Sequence, residues 1–541
     1  MSARVPPPKN EPVKAYAPGS PERKSIKATL AACKESADLP MIIGGQPVRT
    51  GDLMPVRAPH DHAREVGRAH RATEKNVHQA IKSALDAKPS WSALHWSERV
   101  AVFLRAADLL AGPFRDRMNA ATMLGQSKTI HQSEIDAVCE LCDFWRFNAH
   151  YVQGLGTDQP MSPDGVWNQV ELRPLDGFVF AVSPFNFTSI AGNLPTAPAM
   201  LGNVAVWKPA ATQLLSAQVI MEVLEAAGLP PGVVNMLDGD PAMVGDIATQ
   251  SPDLGGIHFT GSTATFHHLW GAVGRNISSY KQYPRLVGET GGKDFIFAHP
   301  SADLDALAVA ILRGSFEYQG QKCSAASRIY IPESLWKRLQ ERLLPMIAEI
   351  KMGSVEDFSS FMGAVIDERA FKKISGYHAL GKALGKAEGR VLTGGAPDAS
   401  KGYFIPPTLI EVSDPKHRLM REEIFGPIVT AWVYPDARID EAVELVDTTT
   451  PYGLTGAIFA QDRRVIADLS RRLQNAAGNF YINDKPTGAV VGQQPFGGSR
   501  ASGTNDKAGS AWNLMRWASP RAIKETFVPP RDWRYPFMGE P

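Results

Sequence analysis

The chain of 541 residues reads as an α/β protein of two bodies, each built on a parallel sheet. Two observations carry this. Residues 178–260 alternate short β-rich runs (178–182, 204–208, 233–237 and 256–260) with amphipathic helices, and a second alternating block runs from about 302 to 487. Parallel strands need crossover helices, so strand, helix and strand in repetition predicts a parallel sheet. Glycine (47) and proline (41) together exceed the usual share, which fits many turns between short elements.

In chain order, residues 1–37 begin Pro-rich and basic and then place Ile26, Leu30 and Cys33 at helical spacing, which predicts an arm wrapped on the body. An import presequence would be Arg- and Ser-rich and nearly free of acids, whereas Glu11 and Glu22 interrupt this one. From Thr73 to His150 the period is helical: Val100, Phe103, Leu104 and Ala107 share a face, and Ile135, Val138, Leu141 and Cys142 repeat the spacing. The helix over 213–227 keeps Leu214, Leu215, Val219, Ile220, Val223 and Leu224 on a 3.6 period, and Gly228 with Pro230 ends it. The second block offers a helix before Cys323, a strand at 328–331 and a helix at 333–350. The tail, 507–541, is rich in aromatics (Trp512, Trp517, Phe527, Trp533, Tyr535, Phe537), which predicts that it packs on something.

Composition removes several function classes. Lys+Arg (57) balance Asp+Glu (56) at a formal charge of +1, which leaves no basic footprint for nucleic acid. With 44% hydrophobic and 21% charged residues the chain is globular rather than disordered. No apolar run approaches the ~18 residues that cross a bilayer, so a soluble protein is expected. Four cysteines cannot make a disulfide scaffold and point to a reducing compartment.

Among those cysteines, Cys139 and Cys142 form a CxxC inside a helical pattern with no second CxxC, and read as packing residues. Cys323 differs. It lies in Gln319-Gly320-Gln321-Lys322-Cys323-Ser324, a polar break between an apolar helix and a strand, where a thiol is presented from a turn as a nucleophile would be. Upstream, Glu289 follows a strand-like 285–287 and precedes Gly291-Gly292; it reads either as a general base at a strand end or as a solvent-facing turn glutamate. Asn186, between Phe185 and Phe187, is either an oxyanion donor in a dry pocket or a turn residue capping the helix that begins near Ile190. Gly261-Ser262-Thr263-Ala264-Thr265 joins a strand to a helix, as phosphate binding requires, although the run is not GxGxxG. Lys208, at a strand end, reaches a ribose or phosphate or else is simply exposed. No metal site emerges: His60 and His62, or His267 and His268, lack carboxylates or cysteines at ligand spacing.

Taken together, Ser183-Pro184-Phe185-Asn186-Phe187, Trp207-Lys208-Pro209, Phe259-Thr260-Gly261-Ser262, Glu289-Thr290-Gly291-Gly292-Lys293, Gln321-Lys322-Cys323, Glu422-Glu423-Ile424-Phe425-Gly426-Pro427 and Pro495-Phe496-Gly497-Gly498 resemble the aldehyde dehydrogenase superfamily in type, order and spacing. The resemblance covers essentially everything after residue 40. Within it, the stretch 492–507 containing Gln493-Gln494-Pro495-Phe496-Gly497-Gly498, with 265–270, is similar to the subfamily that oxidises L-glutamate γ-semialdehyde, the open form of 1-pyrroline-5-carboxylate, in proline breakdown.

The resemblance implies a Rossmann-like NAD-binding domain (38–156 and 172–295), an α/β catalytic domain (296–490) and an oligomerisation flap (157–171 and 507–541). It implies that Cys323 attacks the aldehyde, that Asn186 and the Cys323 backbone N–H hold the oxyanion, and that Glu289 activates the hydrolytic water. Ser183, Lys208, Gly261, Ser262, Thr263, Ala264, Thr265, Glu423 and Phe425 would hold NAD. Phe187 and Phe496 would enclose the substrate's aliphatic part, and Ser324 with the backbone of Gly488 and Ala489 its carboxylate. Two departures stand out. A serine frequent after Thr-Gly in the substrate loop is Ala489 here, so weaker substrate binding is expected, and the glutamate of many NAD-preferring relatives is Ala211, so NAD over NADP comes from the subfamily alone. The partners implied are the small-molecule substrate and further copies of the chain, as a homodimer or larger, with no nucleic acid and no membrane. The family implies the mitochondrial matrix, with the cytoplasm as the alternative. Other readings are a dehydrogenase for another short acidic aldehyde, or a non-catalytic structural relative, which presence of both Cys323 and Glu289 argues against.

Overall fold

The computed structural model describes residues 4–539. Its first body is a seven-stranded sheet with strands in the order Arg285–Glu289, Leu254–Thr260, Phe178–Val182, Ala205–Lys208, Val234–Met236, Met41–Ile43 and Gln46–Val48. The first five run parallel, and the last two form an antiparallel edge hairpin. Phe178, Val179, Phe180 and Ala181 are fully buried, because helices cover both sheet faces and no polar alternation is needed. Removing each such large side chain from water contributes about 1.5–3 kcal/mol. The chain order reverses between Phe178–Val182 and its neighbour Leu254–Thr260, so a crevice opens beyond the carboxyl ends of these two strands.

The second body repeats the scheme in the order Gly389–Thr393, Thr408–Val412, Ile428–Tyr434, Ala326–Pro332, Asp294–Ala298, Thr455–Phe459 and Asn479–Ile482, parallel except for the first strand. The chain passes from one sheet to the other between Glu289 and Asp294, slightly ahead of residue 296. The flap is a two-stranded antiparallel ribbon of Val166–Pro174 and Ala518–Thr526.

The arm is integral to the body. Its helix Pro21–Ala32 starts at Ser20, whose side chain accepts from the Arg23 N–H, and buries Ile26 and Leu30. Ahead of that helix, Tyr16 Oη donates to Glu134 at 2.9 Å, and Glu11 bonds Arg115 at 2.7 Å and Arg146 at 2.8 Å. Two expectations need correction. The pattern over 134–148 is not one α-helix: Glu134–Glu140 winds as a π-helix before Leu141–Leu155 resumes. The wider turn accompanies two buried acids, Glu134 and Asp136, each met by a buried cation, Arg115 and Lys128. Cys139 and Cys142 are buried and free, as packing residues would be. Of the tail's six aromatics, Trp517 alone is packed within the chain, 4.7 Å from the His258 ring; Trp512, Phe527, Trp533, Tyr535 and Phe537 are all at least 60% exposed. Among the described residues no helix is long and apolar enough to cross a membrane.

Candidate active site

Two cavities open onto Cys323 from opposite sides. The smaller, about 590 Å³, lies in the crevice of the first sheet and includes Ser183, Asn186, Lys208, Gly261, Ser262, Thr265, Glu423 and Phe425 in its wall. The larger, about 890 Å³, includes Phe187, Ser324, Gly488, Ala489 and Phe496.

The turn that presents Cys323 is strained and tightly held. Tyr318 and Gln319, just after the helix Leu304–Phe316, take left-handed φ values of 51° and 55°, costing on the order of 1–3 kcal/mol each. Hydrogen bonds compensate. Tyr318 Oη donates to the Gln126 carbonyl at 3.0 Å, the Gln319 amide donates to the Ser127 and Ala364 carbonyls at 3.0 and 2.7 Å, and Gln321 Oε1 accepts the Ile366 N–H at 2.9 Å. A Cβ on Gly320 would lie 2.4 Å from the Gly426 carbonyl oxygen, so only glycine passes there. Burial pushes the Cys323 thiol well above the ordinary range, the Glu289, Asp294 and Glu423 carboxyls push it further, and the Ser324 N–H opposes them. These surroundings favour the neutral thiol over the thiolate.

Asn186 is buried, and its amide donates to the Gln321 carbonyl at 3.0 Å. The capping reading fails: the helix Thr188–Met200 is capped by Asp136, which accepts the Thr188 and Ser189 N–H groups at 2.9 Å each. Glu289 ends its strand half-buried rather than solvent-facing. It accepts the Gly498 N–H at 2.8 Å, burial raises its carboxyl well above the usual range, and the Lys507 charge pulls it back. Those two environments set a neutral thiol beside a base of raised affinity for protons.

On the crevice side, Lys208 is 7% exposed, with Nζ 3.6 Å from Asp238 Oδ1, so the exposed-lysine reading is also overturned. Asp238 escaped the sequence reading although it follows the next strand in the sheet, Val234–Met236. Ser262 caps the helix Thr263–Arg275 by accepting the Thr265 N–H at 3.2 Å, which points that N-terminus at the crevice. Of the 261–265 run, Thr263 and Ala264 stay out of the cavity wall, because Thr263 donates its hydroxyl to Thr290 at 3.1 Å. Glu423 accepts the Gly292 N–H at 3.0 Å and its carboxyl is raised by burial. Phe425, at φ 60°, stands edge-on to Phe185 with centroids 5.8 Å apart. Ala211 also lines the crevice.

On the other side, Ser324 and Thr487 share a hydroxyl hydrogen bond of 2.7 Å beside Gly488. The Lys128 ammonium sits 4.4 Å over the Phe187 ring while bonded to Asp136 at 2.6 Å. The sequence reading missed Arg313, Glu317, Lys322, Lys485 and Glu140 in this wall. Burial pushes the Glu140 carboxyl up to about 8, and Ser189 donates to it at 2.9 Å.

A parallel-sheet crevice meeting a nucleophile's pocket at one cysteine is the architecture of an aldehyde-oxidising dehydrogenase, and residues 48–523 match the sequence profile of the aldehyde dehydrogenase family. The chain belongs to that family. Its relatives narrow the comparison. Delta-1-pyrroline-5-carboxylate dehydrogenase of Agaricus bisporus is 49% identical over 537 residues, 98% of each chain, and the mouse mitochondrial enzyme of that name is 48% identical over 531 residues, 98% of this chain and 94% of the other. The solved delta-pyrroline-5-carboxylate dehydrogenase from Mycobacterium tuberculosis, bound with NAD, superposes with a TM-score of 0.96 at 53% identity and 99% coverage of both chains.

Proposed function

We propose that the protein oxidises L-glutamate γ-semialdehyde, formed by opening of 1-pyrroline-5-carboxylate, to L-glutamate with NAD⁺. The observation that carries the reading is Cys323 as the shared wall of two cavities, one with room for a dinucleotide and one for a small substrate. The crevice fits the cofactor chemically. A buried ammonium at Lys208, the orphaned acceptor of Asp238, the capped helix end at Ser262 and Gly261, and the carboxyl of Glu423 match ribose hydroxyls and phosphates. NAD⁺ supplies a hydride acceptor there, and Ser183, Thr265 and Phe425 line its bed.

In this reading Cys323 Sγ, once deprotonated, bonds the aldehyde carbon, and the oxygen's charge meets the Asn186 amide and the Cys323 N–H. After oxidation the acyl group is a thioester on Cys323, and Glu289 takes a proton from the water that cleaves it, releasing glutamate and the thiol. Phe187 and Phe496 exclude water around the reacting carbon, while Ser324 and the N–H groups of Gly488 and Ala489 receive the carboxylate. Thr263 and Ala264 serve the cofactor only by shaping the helix start.

Purified protein should reduce NAD⁺ with pyrroline-5-carboxylate, and Cys323→Ala should not. Equal or better kcat/KM with succinate semialdehyde would shift the substrate to another short acidic aldehyde, and failure of NAD⁺ to alter Cys323 alkylation would count against a coupled site. The exposed aromatics Trp512, Phe527 and Trp533 beside the flap support a homodimer or larger assembly, which sedimentation would test. The name of the mouse relative supports a mitochondrial location, which fractionation would separate from a cytoplasmic one.

A further inference from the structure

Some cations of the substrate-side wall stand outside ion pairs. Lys322 is bonded to Glu317 at 3.0 Å and Lys128 to Asp136 at 2.6 Å, so both positive charges are spent. Glu11 is likewise held by Arg115 and Arg146. Burial raises the Glu140 carboxyl to about 8. Arg23, Arg313 and Lys485 remain, all in this wall and none in an ion pair among the described residues; Arg23 donates to the Tyr16 carbonyl, and of the three Lys485 stands against the Gly488 turn.

Lys485 is aimed. Its Cβ packs on Gly314 of the helix Leu304–Phe316, 3.5 Å from where a Cβ would stand there, and its side chain turns back along the loop to place Nζ 3.4 Å from the corresponding point on Gly488. Its charge therefore sits against the turn of Thr487, Gly488 and Ala489 that lines the cavity, where φ at Gly488 is 93°. This turn carries Ala489 in place of a hydroxyl side chain. Backbone N–H groups fix a carboxylate's orientation, and an adjacent ammonium supplies the charge-assisted part of its binding.

Resting on the glutamate-semialdehyde reading above, we propose that Lys485 is a specificity-determining residue whose ammonium pairs with the substrate carboxylate at the 487–489 turn, with Arg313 adding to the attracting field. The pairing selects aldehydes that carry an anionic end over neutral ones.

The test compares kcat/KM for glutamate γ-semialdehyde with that for propanal, which has no carboxylate, in wild type, Lys485→Met and Lys485→Arg. Loss of one charge-assisted bond predicts that Lys485→Met raises KM for the semialdehyde about ten- to hundredfold, leaves the propanal KM alone, and flattens the salt dependence of kcat/KM, while Lys485→Arg restores most of the preference. Lys485→Gln gives the same comparison if methionine disturbs the loop. An unchanged semialdehyde-to-propanal ratio in a folded Lys485→Met or Lys485→Gln protein overturns the proposal while leaving the parent activity intact. A wild type with no preference for the semialdehyde over propanal overturns the parent reading, and this one with it.

Discussion

The Asn186 side-chain amide donates to the Gln321 carbonyl at 3.0 Å, two residues before Cys323. One of its hydrogens is thereby spent on the nucleophile's own turn, and the other is left for charge developing at Cys323. Asn186→Ala removes both the tie and the donor. A drop in kcat of about 10²–10³ is expected, the usual cost of one oxyanion donor, with KM for NAD⁺ little changed. Steady-state kinetics with both substrates varied checks it, and a full-activity variant would remove Asn186 from the chemistry.

The Glu289 carboxylate raises the barrier to ionising Cys323, since its charge disfavours thiolate. Glu289→Gln should therefore speed iodoacetamide alkylation of Cys323 at alkaline pH, where the wild-type carboxyl is ionised, while steady-state turnover falls. If Glu289 serves hydrolysis, the first turnover survives, and stopped-flow absorbance should show a burst of NADH without a steady phase. Slower alkylation in this variant would contradict the coupling.

In the proposed reaction both groups act in their deprotonated forms, and both are raised by burial, so wild-type activity should climb as pH rises above neutral. The stability effect has the opposite sign. A carboxyl raised above its unfolded value stabilises the fold when neutral, and that contribution is lost as pH rises through the folded value. Glu289→Gln keeps the group neutral, so its Tm should exceed that of wild type most at alkaline pH. Thermal melts across pH would detect the divergence.

A Cβ on Gly291 would stand 2.3 Å from Glu423 Oε1, the far end of a flexible side chain. Gly291→Ala should fold, displace the Glu423 carboxyl from the Gly292 N–H, and raise KM for NAD⁺ with less effect on KM for the aldehyde. Unchanged NAD⁺ affinity by titration calorimetry would argue that Glu423 does not contact the cofactor.

Glu134 is fully buried and accepts from Arg115, from Tyr16 Oη at 2.9 Å and from Asn119 Nδ2 at 2.9 Å. Arg115→Ala strands that carboxylate and unhooks Glu11 of the arm, for which about 3–5 kcal/mol of destabilisation is expected. Urea unfolding should show it. Protease cleavage of the arm ahead of Pro21 should accelerate in the same variant.

The periodic elements were legible because their signals are local. Leu214 to Leu224 repeat every 3.6 residues on a helix that occurs as Leu214–Ala227, and the run at 178–182 is apolar throughout because both sheet faces are covered. The polar break at Cys323 was visible for the same reason. Long-range pairing left no such trace: nothing near Lys208 announces Asp238, and nothing near Asn10 announces the Val491 carbonyl it bonds at 2.8 Å.

By itself, then, the sequence determined the alternating architecture, the presented thiol and its companions Asn186 and Glu289, since each rests on spacing or on a short motif. Only the tertiary structure decided the raised proton affinities of Cys323 and Glu289, the cap that Asp136 supplies in place of Asn186, and the placement of Lys485 against the Gly488 turn. Desolvation and charge pairing depend on which distant segments pack together, and contacts across hundreds of residues exist only once the chain has folded.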